Sequence, residues 1–131
     1  ARRFRFSARF EARWDGDHGV MTERFLYDSG SEQIREWQLK LGEDGRIEAT
    51  AADVIGIGRG RQTGSAVQLR YRICLPKDAG GHILKVDDWM YLAPNGAIVN
   101  RSQFRKFGIL VAELVATMRP AMAGEPVRDV A

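Results

Sequence analysis

Hydrophobic and polar residues alternate from the first residues of the chain. One parity carries the apolar side chains of Phe4, Phe6, Ala8, Phe10, Ala12 and Trp14, and the other carries Arg3, Arg5, Ser7, Arg9, Glu11 and Arg13. A period of two is typical of a β-strand with one buried and one solvated face. The run stops at residues 15–19, where an Asp-Gly pair and a second glycine favour a tight hairpin.

The same alternation recurs along most of the chain. Strand-like stretches lie near residues 20–27, 33–41, 46–57, 65–75, 82–92 and 108–118. Short links rich in Gly, Asp, Ser, Asn and Pro separate them, and strands joined by such links run antiparallel because a parallel pair needs a long crossover. A meander of about eight strands without a covering helix either stacks as a sandwich or closes on itself, and sequential hairpins favour closure. We predict an all-β fold, an antiparallel up-and-down lipocalin-like β-barrel in a single domain.

Three segments give weaker signals. The glycines at positions 56, 58, 60 and 64 are interpreted as bends in the barrel wall, since a phosphate-binding loop would need a helix where the next strand is predicted. Residues 100–106 alternate poorly and predict a short helical turn or a loop that closes one mouth of the barrel. Residues 120–131 lack a core-forming pattern and predict a loosely ordered C-terminal tail behind a barrel domain of residues 1–119.

The composition fits one domain that buries its own core. The chain has 131 residues, 44% of them hydrophobic, and its 1 cysteine, Cys74, excludes an internal disulfide. The histidines His18 and His82 share no metal-ligand spacing, and neither a metal nor a cofactor is predicted. No stretch approaches the roughly 20 apolar residues of a membrane-spanning helix, so any export signal or lipid anchor is expected upstream of this chain.

The net charge of +3 is concentrated at the N-terminus. Five arginines and one glutamate in the first 13 residues contribute +4, which leaves −1 for the rest of the chain. A nucleic-acid-binding surface usually spreads basic residues over a whole face, so no nucleic-acid partner is predicted. The outward strip is either an ordinary solvated strand face or a peripheral contact with anionic lipid headgroups or an acidic partner. It consists of Arg3, Arg5, Arg9 and Arg13.

Charged residues within apolar strands are the candidates for chemistry, because burying a charge is costly unless it is paired or used. They are Glu23, Arg35, Asp53, Asp87, Asp88, Lys106 and Glu113. Alternation places Asp87 and Asp88 on opposite faces of one strand, so one of them points inward. Three readings stay open for the inward aspartate: an internal ion pair with Lys106 or Arg35, a polar anchor for a ligand, or a general acid or base.

Several of these signals together resemble a bacterial family catalogued as domain-of-unknown-function family 3833. The matching residues are Glu23, Phe25, Tyr27, Gly30, Arg35, Trp37, Ala52-Asp53-Val54, Gly56, Gly60, Gly64, Tyr71, Asp87-Asp88-Trp89-Met90, Asn100-Arg101, Lys106-Phe107-Gly108 and Glu113. The resemblance implies a lipocalin-like shape and a protein of the bacterial periplasm or envelope, often made with a lipoprotein signal. It also suggests a link to enzymes that modify membrane fatty acids, and it implies no established reaction. The sequence has no lipidation cysteine near its start.

The leading functional hypothesis is a non-catalytic binding protein for a small apolar or fatty-acyl ligand. Barrels of about eight strands hold packed side chains or one small ligand. The candidate ligand-binding residues are Arg35, Trp37, Asp53, Tyr71, Asp87, Asp88, Trp89, Asn100 and Lys106. The alternatives are an isomerase- or hydratase-type enzyme in which Glu23, Asp53 or an Asp87/Lys106 pair moves a proton, and a structural envelope protein that uses its basic strand. The oligomeric state is not predicted.

Overall fold

The protein consists of β-strands joined by short connections. The computed structural model describes residues 6–119 and the short segment 128–130. The strands are β1 Phe6–Asp15, β2 His18–Tyr27, β3 Glu32–Leu41, β4 Arg46–Thr50, β5 Gly58–Thr63, β6 Ala66–Cys74, β7 Ile83–Leu92, β8 Ile98–Lys106, β9 Ile109–Met118 and β10 Arg128–Val130. Single 3-10 turns lie in the β3–β4 connection at Glu43–Gly45 and in the β6–β7 connection at Lys77–Ala79. Within the described ranges, no helix has the length and apolar character needed to cross a membrane.

All ten strands belong to one sheet with up-and-down order. β10 pairs with β1, and from β1 to β9 each strand pairs with the next one in the sequence, always antiparallel. The sheet is curled into a half-barrel. Its first and last strands, β10 and β9, come within 8 Å of each other between Cα atoms, although no ladder joins them in the described part of the chain. The predicted all-β, antiparallel up-and-down fold in a single domain is confirmed.

The two-residue alternation decides which face of the sheet is the inner, concave one. Phe6 pairs with Tyr27 and Ala8 pairs with Phe25, so the apolar parity of β1 meets that of β2. Paired residues on neighbouring strands point to the same face of a sheet. The apolar parities therefore converge on the concave face, and the intervening arginines of β1 point outward.

The core consists of two apolar clusters on the concave face. The larger one contains Trp37, Ile47, Ala49, Val54, Leu69, Tyr71, Ile73, Leu84 and Val86. The smaller one is formed by Phe6 and Ala116, with partly buried Ala8, Phe25, Tyr27, Leu114 and Met118 packed against them. The apolar core is thus divided in two, and side chains of other types lie between the two clusters.

Strand β5 carries glycine where its backbone passes very close to the backbone of the neighbouring strand β6. A Cβ atom on Gly60 would collide with the backbone carbonyl group of Gln68 on β6. The predicted bend in the wall is thus a close approach of two backbones, which requires glycine at this position.

Two predicted elements differ from the structure. The stretch 46–57 is not one strand: β4 ends at Thr50, and β5 begins only at Gly58. In between, Gly56 has a φ of 67°, which interrupts extended backbone, and Val54 forms an isolated bridge to Ile73.

Residues 100–106, predicted as a helical turn or a loop, belong to strand β8, whose ladder with β9 has one register shift between Phe104 and Arg105. Their alternation is hard to see in the sequence because the inward positions Asn100 and Ser102 are polar. Both pair with inward positions of β7.

Parts of two predictions lie outside the described residues. Arg3 and Arg5 of the basic strip fall before residue 6, and most of the predicted tail, residues 120–127 and 131, is likewise not described. The described part of the tail, Arg128–Val130, pairs with Phe6–Ala8 as β10.

Candidate functional site

A network of polar side chains occupies the middle of the concave face, between the two apolar clusters. On β2, Glu23 is flanked by Met21, which packs on the larger cluster, and by Phe25, which packs on the smaller one. On β8, Ser102 lies between Asn100 and Phe104, and Phe104 packs on the larger cluster. Polar side chains of β2 and β8 therefore take the place of apolar core residues in the middle of the concave face.

The first half of the network is built around Arg35. The β2–β3 register places Arg35 directly opposite Glu23, and the β4–β5 connection brings Asp53 to the same guanidinium. Arg35 Nε donates to Asp53 Oδ1 at 3.0 Å and Nη2 donates to Asp53 Oδ2 at 2.7 Å. Glu23 Oε2 lies 3.7 Å from Arg35 Nη1, and Glu23 Oε1 accepts a 2.9 Å bond from Trp37 Nε1. One arginine thus faces two carboxylates, but only Asp53 holds it in the forked geometry typical of strong pairs.

The second half is built around Asp88. Asp88 pairs with Ser102 across the β7–β8 ladder. Its Oδ1 accepts hydrogen bonds from Asn100 Nδ2 at 2.6 Å and from Ser102 Oγ at 2.7 Å. Its Oδ2 accepts a 3.1 Å bond from the Tyr71 hydroxyl. Three neutral donors from β6 and β8 therefore hold this carboxyl group.

Two aromatic rings connect the halves. The rings of Trp37 and Tyr71 meet edge to face, with centroids 5.0 Å apart and an interplanar angle of 79°. The Arg35 guanidinium carbon lies 5.7 Å from the centre of the Trp37 ring. The network accordingly extends from β2 and β3 through this ring pair to β6, β7 and β8.

Burial controls the protonation of the carboxyl groups. Desolvation raises the pKa of Glu23 to about 7, against the opposing effect of Arg35 and with a further increase from the nearby charge of Asp88. Burial also raises the pKa of Asp88, although the hydrogen bonds from Ser102, Asn100 and Tyr71 oppose the rise. The pKa of Tyr71 lies well above its ordinary value, first because of burial and then because of the Asp88 charge. Glu23 therefore changes charge near neutral pH.

The first half of the network is not sealed from solvent. The side chains of Glu23 and Arg35 are 13% and 14% exposed, and that of Asp53 is 31% exposed. Inward side chains around it, including Phe10 and Phe25, are only half-buried. Part of the network on the concave face is therefore accessible to solvent.

A comparison with known protein families assigns the chain to one family. Residues 2–120 match a family described as "Protein of unknown function (DUF3833)". The protein belongs to this family. Neither the curated proteins nor the solved structures gave a match. The suspected DUF3833 resemblance is confirmed, while the lipoprotein signal and the envelope setting that it implied stay predictions.

Six of the nine predicted ligand-binding residues of this DUF3833 protein meet in the network. They are Arg35, Trp37, Asp53, Tyr71, Asp88 and Asn100. The predicted opposition of the two aspartates is also present, with Asp88 facing inward. Its partners correct one reading of the sequence, because Asp88 is held by neutral donors and not by an ion pair with Lys106 or Arg35.

The other three predicted residues lie elsewhere. Asp87 faces outward and forms an ion pair with Arg70 at 2.8 Å. Trp89 also faces outward, where the Arg101 guanidinium lies 6.0 Å from its ring centre. Lys106 lies at the β8–β9 hairpin and contacts His82. An Asp87/Lys106 proton relay therefore has no geometric basis.

Sequence reasoning missed Ser102 and placed Glu23 only among the candidate proton carriers. Ser102 is buried at 5% exposure and would have emerged if residues 100–106 had been identified as a strand. The contact of Glu23 with Trp37 follows no sequence spacing, because it depends on the side chains of two adjacent strands and not on their register alone.

Within residues 6–119 and 128–130, no group of three or more His, Cys, Asp or Glu side chains is arranged to hold a metal ion. His18 instead forms a 2.7 Å contact with Asp17 in the β1–β2 hairpin of the DUF3833 domain. Two surface pockets of about 490 and 200 Å³ lie beside the β3–β4 hairpin, and none of their lining residues belongs to the network.

Proposed function

We propose that this protein is a non-catalytic binding module, lipocalin-like in architecture, whose concave face takes a small ligand with an apolar or fatty-acyl part. The observation that carries the proposal is the loose ion pair between Arg35 Nη1 and Glu23 Oε2, whose two atoms are separated by a gap of 3.7 Å. Arg35 Nη1 makes no hydrogen bond within the described residues, and Glu23 Oε2 accepts none there. A polar group of a ligand that lies beside this gap would hydrogen-bond to both atoms.

The surroundings of the gap suit the apolar part of such a ligand. The half-buried rings of Phe10 and Phe25 lie beside Glu23 and meet edge to face with centroids 6.1 Å apart. Phe25 also meets the buried ring of Phe6 edge to face at 5.8 Å. Ligand sites typically combine an apolar lining with a few converging polar groups. An acyl chain along these rings and a polar end at Arg35 and Glu23 would match that pattern.

The setting that we propose is the bacterial periplasm or envelope, with a link to membrane-lipid metabolism, and it rests on the family resemblance. A peripheral contact through the basic strip belongs to the same proposal. Of its four arginines, Arg9 and Arg13 lie in the described part of β1, where Arg13 is exposed.

Native mass spectrometry of protein purified from a bacterial host, followed by lipid extraction, tests the binding function. We expect an adduct of acyl-lipid mass. Arg35→Gln and the isosteric Glu23→Gln should each weaken binding about tenfold, because each removes a charged hydrogen-bond partner. Arg70→Gln, which breaks an ion pair on the outer face, is the matched control and should bind as the wild type does. A wild-type protein that carries no adduct and binds no added acyl probe would overturn the proposal.

A second function, proton transfer to an unsaturated acyl substrate, is favoured by one specific observation. Glu23 has a pKa of about 7 and an accessible edge, and a general base works best with a pKa near the working pH. The test is incubation with a β,γ-unsaturated acyl compound in D₂O. Deuterium entry that is lost in Glu23→Gln would support catalysis, and the absence of exchange in the wild type would exclude it for that substrate.

A further inference from the structure

The β8–β9 hairpin ends in an exposed aromatic residue held in an unfavourable backbone conformation. Phe107 has a φ of 52° and Gly108 a φ of 78°, as in the two-residue turns that link strands tightly. The first position of such a turn favours Asn, Asp or Gly, because a large side chain clashes with its own backbone there. The Phe107 side chain gains no compensating burial, since it is 91% exposed.

Other apolar side chains surround Phe107 at the same end of the sheet. Ile83 begins β7 and is 51% exposed, while Ile109 and Leu110 begin β9 and are 67% and 47% exposed. We call these four residues, Ile83, Phe107, Ile109 and Leu110, the apolar tip. The one contact of the Phe107 ring is with Lys106, whose Nζ lies 5.4 Å from the ring centre within the described residues, and an exposed contact of this kind contributes only about 0.5–1 kcal/mol. Folding therefore gains little from the solvated tip, which indicates contact with something apolar.

A row of three cations lies directly behind the apolar tip on the outer face. Arg72 of β6 is paired with Lys85 of β7, and Lys85 is paired with Arg105 of β8. We call these residues the basic row. Like charges directly opposite each other destabilise a sheet. Within the described residues, no carboxylate lies within 4.0 Å of any of the three, and only Arg105 acts through its charge on a more distant carboxylate, Glu113.

The spacing of the two features fits the edge of a lipid bilayer. Arg105 precedes Phe107 by two residues and Lys85 follows Ile83 by two residues, which corresponds to about 7 Å along a strand. Interfacial segments bury apolar side chains roughly 5–10 Å into the boundary between headgroups and acyl chains, while basic residues remain at the anionic headgroups. An acidic protein partner would explain the basic row but not the protruding, uncovered tip.

We propose that the β8–β9 hairpin docks this protein on a bilayer that contains anionic lipids, with the apolar tip inserted and the basic row at the phosphates. The site is separate from the concave-face network, so the proposal stands or falls independently of the binding function. It also differs from the strip of N-terminal arginines, whose described members Arg9 and Arg13 lie on β1.

Vesicle co-sedimentation tests the docking. The full chain is mixed with vesicles of phosphatidylcholine alone or with about a third phosphatidylglycerol, at low and high salt. We expect binding to the mixed vesicles only, weakened by salt. Phe107→Asn should reduce binding about tenfold while keeping the turn, because Asn accepts a positive φ. The triple variant Arg72→Gln, Lys85→Gln, Arg105→Gln should reduce it roughly 100-fold.

Two controls at the opposite end of the half-barrel make the result specific. Leu92→Asn removes an apolar side chain that is 55% exposed at the other end of β7. Lys40→Gln, Arg46→Gln, Arg61→Gln removes three exposed charges near the β3–β4 and β5–β6 turns, which matches the net charge of the first triple variant. Both should bind as the wild type does. Equal binding to neutral vesicles, wild-type binding by the tip and row variants, or an equal loss in the control triple would each overturn the proposal.

Discussion

Phe107 shows that a single residue can oppose the stability of the turn that contains it. An L-residue in the left-handed region costs about 1–2 kcal/mol, and Asn tolerates this region better than Phe does. Phe107→Asn should therefore raise the free energy of unfolding by about 1 kcal/mol. Urea unfolding followed by circular dichroism measures the change. A lower stability of the variant would mean that the Phe107 ring makes stabilising contacts despite its exposure.

Glu23 gives the protein a predictable dependence of stability on pH. Its pKa rises from 4.5 to about 7 on folding, so between these values the folded state holds a proton that the unfolded state has lost. Stability from this group is greatest below pH 4.5 and falls as the pH rises towards 7, by about 3 kcal/mol at most.

The variant Glu23→Gln isolates this effect. Gln is neutral at every pH and can still accept the bond from Trp37, so the variant should lose the slope and become more stable than the wild type above neutral pH. Urea unfolding of both proteins from about pH 5 to 8 provides the comparison. Parallel stability curves would show that Glu23 does not titrate as proposed.

At this scale the sequence could indicate the direction of a side chain but not its partner. Alternation separated Asp87 from Asp88, because a strand has a period of two whatever surrounds it. Whether Asp88 would meet a lysine, an arginine or neutral donors depended on which residues of β6 and β8 stand opposite. That information comes from strand register and not from the composition of β7.

At the scale of elements, strand β5 depends on the missing side chain of Gly60. Gly60→Ala should lower the free energy of unfolding by about 1–3 kcal/mol, because the new methyl group meets the backbone of Gln68 and β5 must move away. Gly42→Ala is the matched control: its Cβ would meet Arg46 Cβ at 3.5 Å, an ordinary contact, and stability should change by less than about 0.5 kcal/mol. Thermal unfolding of both variants checks the difference. If both variants melt alike, the closeness of β5 and β6 is not a constraint.

The sequence predicted strands where the inward parity was apolar and failed where it was not. β1 and its hairpin were evident because aromatic and small apolar residues alternate with charges over ten positions. β8 was missed because its inward positions include Asn100 and Ser102, which serve the polar network. The segment whose sequence least resembles a strand therefore supplies two of the hydrogen-bond donors to Asp88.

At the scale of the whole molecule, β10 covers the edge of β1. Deletion of residues 120–131 would remove the pairing partner of Phe6–Ala8 and leave unpaired backbone groups beside an apolar face. We expect lower thermal stability and concentration-dependent self-association, measured by size-exclusion chromatography with light scattering. A monomeric deletion variant with wild-type stability would show that this pairing contributes little.

The up-and-down strand order could be predicted from the sequence, because short links join only antiparallel neighbours. The proximity of β2 and β7 across the concave face could not. Glu23 and Asp88 lie 65 residues apart in the chain, yet their charges affect each other. Their proximity results from the curvature of the sheet, which local alternation does not encode.

The bond from Trp37 Nε1 to Glu23 Oε1 equips the molecule with its own optical probe. An indole whose N–H is bonded to a carboxyl group emits differently when that group gains or loses its charge, and Trp37 is only 2% exposed whereas Trp14 is 50% exposed. Trp89 is the third tryptophan and is partly exposed, so the double variant Trp14→Phe, Trp89→Phe would leave Trp37 alone to report. Proton binding at Glu23, or the arrival of a guest beside it, could then be followed by fluorescence without any label.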